Sequence, residues 1–380
     1  MENYKHSLPE FTEVIIIGGG PAGAATALTL AARGMDCLVV ESASGVKAKI
    51  GEVLSPNMTP LLRQMGLDKL INRSVHLPAY GNRFIWGSNQ PFDKLFITQT
   101  NRQGWHLDRR DFEQKLSQFA RKRGAKWFKN CKFLDAHDHQ GEWQVSLHYQ
   151  GQKQSINAQF LVDATGRGGR LTRRLGIPRN FGDRLLGLAG YFSLAKTEHI
   201  PHFTHIEAVP NGWWYAALLT DKRLVTVFMT DADLCHPSMQ KIEGYWQKIQ
   251  QTQLIKTLFP GDFLPPVDDG IRVKPAQTSC LISPVGDNWL AVGDAAFAYD
   301  PISSYGIGSA LGGGYYAGNA IADYLNKRPE ALPAYQMVTE GAFAHYLSML
   351  RYQYLQEQRW HNSLFWSRRH QDDVRIQVCV

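Results

Sequence analysis

Residues 13–41 read EVIIIGGGPAGAATALTLAARGMDCLVVE: an apolar run, three consecutive glycines, a stretch of helical character, and a second apolar run closed by an acid. The periodicity predicts a buried strand over residues 14–17, a helix over 21–33 and a second buried strand over 37–40, together a βαβ unit. Gly18, Gly20 and Gly23 then stand at the strand-to-helix turn with G-x-G-x-x-G spacing. The first allows a tight turn, the second lets backbone approach a pyrophosphate, and the third lets helix pack on strand. Pro21 and Ala22 open the helix, whose free N–H groups suit a dianion. Glu41 closes the second strand about 20 residues on, with Ser42 beside it; an acid there accepts hydrogen bonds from a ribose 2′-OH and repels a 2′-phosphate. Such a site suits FAD or NAD(H) and not NADP(H). The alternative is a glycine-rich turn in an ordinary α/β sheet, and the fingerprint alone does not separate flavin from nicotinamide.

The chain has 380 residues, 44% of them hydrophobic. That is enough for a large core, near the size at which one core divides, so two intimately packed domains are expected. The net charge of +7 and pI near 9.1 raise the question of nucleic acid, but the basic residues are spread along the chain. The densest runs, residues 121–126 and 167–174, adjoin apolar helical pattern and read as solvated faces, or as a surface for an acidic protein, rather than as a nucleic-acid footprint. The five cysteines (Cys37, Cys131, Cys235, Cys280, Cys379) are odd in number and lack C-x-x-C spacing, which argues for a reducing cytoplasm and against a disulfide framework or zinc site. No segment is long and apolar enough for a signal-peptide core or a membrane span. Neither H-E-x-x-H nor G-x-S-x-G occurs, so no metal is expected and hydrolysis is disfavoured.

Two later segments bear on the cofactor. Residues 160–176, FLVDATGRGGRLTRRLG, run from a strand through Asp163, a candidate cofactor-binding residue, and Arg167 into a basic helical stretch. Residues 288–325, NWLAVGDAAFAYDPISSYGIGSALGGGYYAGNAIADYL, give a strand, Gly293-Asp294, a turn at Asp300-Pro301, and a helix opened by Gly306, Ile307 and Gly308. An acid after a strand can bind ribityl hydroxyls, and N–H groups at a helix start can meet the N1–C2=O edge of a flavin, which carries the negative charge of the reduced ring.

These segments, in this order, resemble the p-hydroxybenzoate hydroxylase superfamily of FAD monooxygenases, which includes flavin-dependent halogenases. Arg109-x-x-Phe112 matches the family's R-x-x-F, whose arginine lies near the FAD diphosphate, and Gly51-Glu52 matches the loop near the isoalloxazine. The resemblance implies an α/β fold: a Rossmann-like FAD-binding domain from residues 1–75, 104–178 and 276–330, a β-sheet substrate domain from 76–103 and 179–275, and a C-terminal helical segment, 331–380. It makes FAD the cofactor, reduced by NAD(P)H or by a separate flavin reductase. The expected flavin environment is Glu52, Pro301, Gly306 and the roof aromatic Trp214. Glu52 is either a general base or a residue that holds its loop.

Residues 203–231 carry turn chemistry at 210–212 and 220–223 that suits a meander, and residues 76–99 should join the same sheet. Trp213 and Tyr215 share one face, with Trp214 opposite. His76, His106 and His205 fall in these segments, as catalysts or as structural hydrogen-bonding residues. Residues 300–306, DPISSYG, are similar to tryptophan halogenases, but the early roof strand, residues 77–86, contains none of the lysine that halogenases need there. Residues 81–88, 212–231 and the aromatic, basic tail 352–369 more closely resemble flavoproteins that mature lysine- or cysteine-tryptophylquinone cofactors. The implied reaction is hydroxylation of a tryptophan in a partner quinoprotein precursor through C4a-hydroperoxyflavin. Alternatives are a halogenase, a small-aromatic hydroxylase, or a non-catalytic FAD-stabilised maturation chaperone. The tail reads as an amphipathic helix on the core or as a docking surface.

Overall fold

The computed structural model describes residues 7–45, 50–98, 100–261 and 264–371; Cys379, Gln99 and residues 47–49 lie outside the described residues. Val14, Ile15 and Ile16 are fully buried, and a β-branched run covered on both faces belongs in the middle of a parallel sheet. Phe11–Ile17 accordingly lies parallel to Cys37–Glu41 on one side and Gln152–Asp163 on the other. Lys126–Lys129 and Trp289–Ala291 extend this eight-stranded sheet outward, and the first half of Gln152–Asp163 turns aside to pair antiparallel with Glu142–Tyr149.

Helix Pro21–Ala32 covers one face, and Gly306–Leu325 packs along it. Their seam is made of missing side chains. A Cβ on Gly314 would come within 2.6 Å of Ala22 O, and one on Gly318 within 2.6 Å of Thr29 Cβ. Since Gly314 meets Ala22 and Gly318 meets Thr29, the two helices run in the same direction. The first pair lies eight residues into the second helix and one into the first, and the second pair twelve and eight, so the second helix starts four to seven residues ahead of the first, about 6–10 Å at 1.5 Å of rise.

A second sheet has seven strands in the order Arg272–Pro275, Leu185–Ser193, Arg223–Asp231, Gly212–Leu218, Phe203–Val209, Gly81–Ile85, Phe92–Leu95. One face carries Trp213, Val227, Ile206 and Tyr191; the other carries Trp214, Phe228 and Leu188 and is covered by helix Ile242–Gln250. Residues 77–79 do not join it. Leu77–Ala79 pairs instead with Gly104–His106 in a small three-stranded sheet, because Tyr80 N–H bonds to His202 O and redirects the chain.

The C-terminal part is a long helix, Ala331–Leu355, and a short one, Leu364–His370. Tyr354, Phe365 and Trp366 are buried against the first face of the second sheet, while Tyr352 and Leu364 are exposed. Trp366 Nε1 donates to Val209 O and Trp86 Nε1 to Gln353 O, both at 2.9 Å. Cys37, Cys131 and Cys235 are free, and no described helix is long and apolar enough to cross a membrane.

Candidate active site

Gly18 holds φ at +106°, and a Cβ there would lie 2.4 Å from Ala164 O; on Gly23 it would lie 2.0 Å from Gly18 O. Both positions are closed to any side chain. Helix Pro21–Ala32 has no side-chain cap and no acid in its first turn, so its leading N–H groups are left for a ligand. Glu41 spans the loop: Oε2 accepts Gly19 N–H at 2.8 Å and Oε1 accepts Ala43 N–H at 2.8 Å, with Ser42 Oγ at 3.3 Å.

Asp163 sits 0% exposed and corrects an expectation. Its oxygens accept from Thr165 N, Thr165 Oγ1, Thr172 N and Thr172 Oγ1, at 2.7–3.0 Å, so its carboxylate shapes the turn behind Gly18 and has nothing left for a cofactor. Arg167 and Arg179 turn inward beside it. Arg167 donates to Gln277 O and to Tyr299 O and lies 3.4 Å from Asp294; Arg179 donates to Ala295 O and Ser279 Oγ. The run 167–174 is thus not simply a solvated face, whereas 121–126 is exposed except for Ala125. Asp294 follows Gly293, whose φ is +62° and whose Cβ would strike Ala22 Cβ at 2.8 Å. Burial raises the Asp294 carboxyl, and the guanidiniums of Arg167, Arg179 and Arg109 oppose that shift.

The second helix start is similarly bare. Gly306–Leu325 has no side-chain cap and no first-turn acid, and Gly306 faces open space. Ile307 is buried in the core, so only its N–H group is available to a ligand. A Cβ on Gly308 would meet Met58 Sδ at 2.7 Å. Asp300, buried, caps the Pro301–Ser303 turn that precedes this helix by accepting Ile302 N–H at 2.9 Å.

Arg109 does not reach the Gly18–Gly23 turn through its Nη atoms. It binds the carbonyls of Ile50 and Gly51 and pairs with Glu113, while its buried Nε has no acceptor among the described residues. It thereby fixes the loop that carries Glu52, which is 2% exposed, accepts Tyr191 O–H at 2.7 Å and accepts Gly51 N–H at 3.0 Å. Burial raises the Glu52 carboxyl and pushes the Tyr191 and Tyr215 phenols up. Tyr215 points its buried hydroxyl toward the same carboxyl without a hydrogen-bond partner of good geometry. Arg223 and Arg272 stand over the Tyr191 ring, each 5.5 Å from its centroid.

Trp214 faces away from this centre. It packs on Phe228 at 4.9 Å and Tyr245 at 5.1 Å between centroids, on the opposite side of the sheet from Glu52, because strand alternation gives Trp213 and Tyr215 the inner face. The residues facing the loop that sequence reasoning left out of the site are Tyr191, Tyr215 and, at the helix start, Tyr354. The three histidines are buried, and burial lowers each of them. His106 bonds Leu218 O and Thr204 Oγ1 and is lowered to about 3 by burial, His205 is lowered to about 4, and His76 receives Asp108 N–H. Among the described residues no group of three metal-ligating side chains converges.

Two uncapped helix starts offset by about 6–10 Å along one direction, the acids Glu41, ending one strand of the sheet, and Asp294, following another, and glycines where a Cβ would obstruct fit an extended dinucleotide. A family model described as an FAD binding domain matches residues 11–338. LodB of Marinomonas mediterranea, named as an FAD-dependent oxidoreductase, is 30% identical over 365 residues, 95% of this chain and 97% of LodB. QhpG, described as a peptidyl tryptophan dihydroxylase essential for tryptophylquinone cofactor biogenesis, superposes with a TM-score of 0.77 at 26% identity, covering 94% of this chain and 78% of QhpG. The myxobacterial chondrochloren halogenase CndH shares the fold, with a TM-score of 0.86 at 22% identity over 95% of this chain and 86% of CndH. The chain therefore belongs to the FAD-binding-domain family and is an FAD-dependent oxidoreductase.

Proposed function

We propose that this protein is an FAD monooxygenase that hydroxylates a tryptophan side chain inside a partner quinoprotein precursor while a tryptophylquinone cofactor is being made. The observation that carries the reading is a row across the inner face of the roof sheet. Tyr215 neighbours Ile206, Ile206 neighbours Phe84, and Phe84 neighbours Phe92, stacked at 5.1 Å and 47% exposed on the edge strand. An apolar aromatic track from the Glu52 loop to an exposed edge suits an aromatic ring delivered on a chain rather than one enclosed whole. The likeness to LodB across nearly its whole length, and to QhpG, supports the same reading.

In this reading Gly18, Gly20, Pro21, Ala22 and Gly23 hold the diphosphate, Glu41 and Ser42 the adenosine ribose, and Asp294, behind Gly293, the ribityl hydroxyls. The N–H groups of Gly306, Ile307 and Gly308 meet the flavin ring, beside Pro301 and the loop Gly51-Glu52 that Arg109 fixes. Bound FAD, reduced by NAD(P)H or a reductase, would supply the two electrons needed for one atom of O2 to enter the ring C–H bond and the other, with two protons, to leave as water. The roof and the buried Glu52, Tyr191 and Tyr215 keep water from that reaction. An indole is electron-rich enough that no base is needed to activate it, and Glu52 is available to take the proton lost from the ring carbon.

Mass spectrometry of the quinoprotein precursor, coexpressed with and without this chain, tests the reading: one or two added oxygens on a tryptophan support it, and an unchanged partner sinks it. One observation favours halogenation as a second reading. Lys94 lies two residues from Phe92 and so on the same face, on a strand next to the one that lacks lysine. Bromide-dependent product lost in Lys94→Ala would establish that reading instead.

A further inference from the structure

Most of helix Ala331–Leu355 lies beyond residue 338, where the family match ends, yet two of its side chains grip the turn that leads into Gly306. The Tyr346 hydroxyl accepts the backbone N–H of Asp300 at 2.6 Å and meets Thr278 Oγ1 at 3.1 Å. Tyr354 donates to Asp300 Oδ2 at 2.7 Å and accepts from Trp213 Nε1 at 3.1 Å. Asp300 Oδ1 is the atom that caps the Pro301–Ser303 turn, so backbone and side chain of this one residue are held at three points. The Tyr354 ring is itself fixed. Trp86 and Trp366 lie 6.0 Å from it between centroids, and the Arg369 guanidinium, bonded to Asp231, stands 5.2 Å from its centre. A phenol packed on these sides cannot swing, so its hydroxyl is a fixed reference for the carboxyl below.

We propose that Tyr346 and Tyr354 are positioning residues for the flavin: by clamping Asp300 they aim the uncapped start of the Gly306–Leu325 helix at the ring, and Trp213 couples that aim to the roof. The proposal rests on the flavin placement given above. Its physical basis is the partial positive charge of a helix start, which stabilises negative charge only within the first turn. A small misdirection would therefore weaken the preference for reduced flavin without releasing FAD, whose diphosphate would be held at the other helix start, by the turn at Gly18–Gly23.

The test is the two-electron midpoint potential of the flavin in purified holoprotein, by dye-linked reduction, alongside FAD affinity by flavin fluorescence. Tyr354→Phe is expected to lower the affinity for reduced over oxidised FAD about tenfold, roughly 30 mV in potential, with FAD still bound. Tyr346→Phe is expected to shift it in the same direction. Gly306→Asp serves as the control on placement. If Gly306→Asp moves the potential and Tyr354→Phe does not, the clamp is overturned while the flavin placement stands; if neither moves it, the placement fails and takes the clamp with it. Should Tyr354→Phe not fold, Trp213→Phe leaves both tyrosines and Asp300 in place: a downward shift supports the coupling, and an unchanged potential overturns it.

Discussion

Glu52 and Tyr191 meet at 2.7 Å across the boundary between the nucleotide-binding sheet's loop and the roof, joining the two through one buried carboxyl. Removing the carboxyl leaves the Tyr191 hydroxyl buried without its acceptor, whereas an amide preserves an acceptor of the same shape. Glu52→Ala is therefore expected to cost about 1–3 kcal/mol and Glu52→Gln less than about 1 kcal/mol. Urea denaturation of the two variants checks this, and equal losses would refute the contact's role.

Burial, with Asp183 nearby, lifts the Asp300 carboxyl to about 7, while Arg369 and the Tyr354 hydrogen bond pull the other way. The folded state thus holds this proton longer than the unfolded chain, whose carboxyl titrates near 4. The stability it contributes is fully present below about pH 4 and is lost as pH rises through about 7. Glu52, Asp183, Asp294 and Glu207 are raised by burial as well and act in the same sense. Buried His106 and His205, lowered to about 3 and about 4, act in the opposite sense below about pH 6.5, so the readout is the difference between the two proteins: between about pH 4 and 7 the melting temperature of the wild type should fall relative to that of Asp300→Asn. A slope that Asp300→Asn leaves unaltered would contradict the assignment.

Gly314 and Gly341 make opposite predictions for the same substitution. A methyl group on Gly314 collides with Ala22 O, so Gly314→Ala must part the two helices, at about 1–3 kcal/mol, and weaken FAD retention. Nothing lies within 4 Å of a Cβ on Gly341, in the exposed side of a helix, so Gly341→Ala should stabilise by up to about 1 kcal/mol. Thermal melts and flavin content of both variants decide it.

If the partner's aromatic ring enters along the edge of the roof, Phe92→Ser should cut modification of the coexpressed quinoprotein precursor several-fold. FAD content and the rate of flavin reduction should stay at wild-type values. Unimpaired modification in this variant would move the entrance elsewhere.

The βαβ unit and glycine turn of residues 13–41 were legible in the sequence because each requirement is local: a turn, a close approach, an acid at a strand end. The roof meander was legible for the same reason, from turn residues between alternating runs. What escaped depends on contacts between distant segments. Asp163 looked like a ligand until Thr165 and Thr172 filled its oxygens. Trp214 and Tyr215 alternate identically in the sequence, and only the side on which helix Ile242–Gln250 packs tells which faces Glu52. Tyr191 lies 139 residues from Glu52 and Tyr354 lies 54 from Asp300, with no local pattern to mark either. Arg167 escaped for the same reason: read as part of a solvated face, it is held inward by the carbonyls of Gln277 and Tyr299, 110 and 132 residues away.

The central strand Phe11–Ile17 is synthesised long before the elements that finish its sheet, Trp289–Ala291, and its helix layer, Gly306–Leu325. A nascent chain that has not yet reached Leu325 consequently has the fingerprint but lacks the second half of the proposed flavin site, so on that proposal flavin capture waits for this helix, and the Gly18–Gly23 turn stays unliganded until it is made.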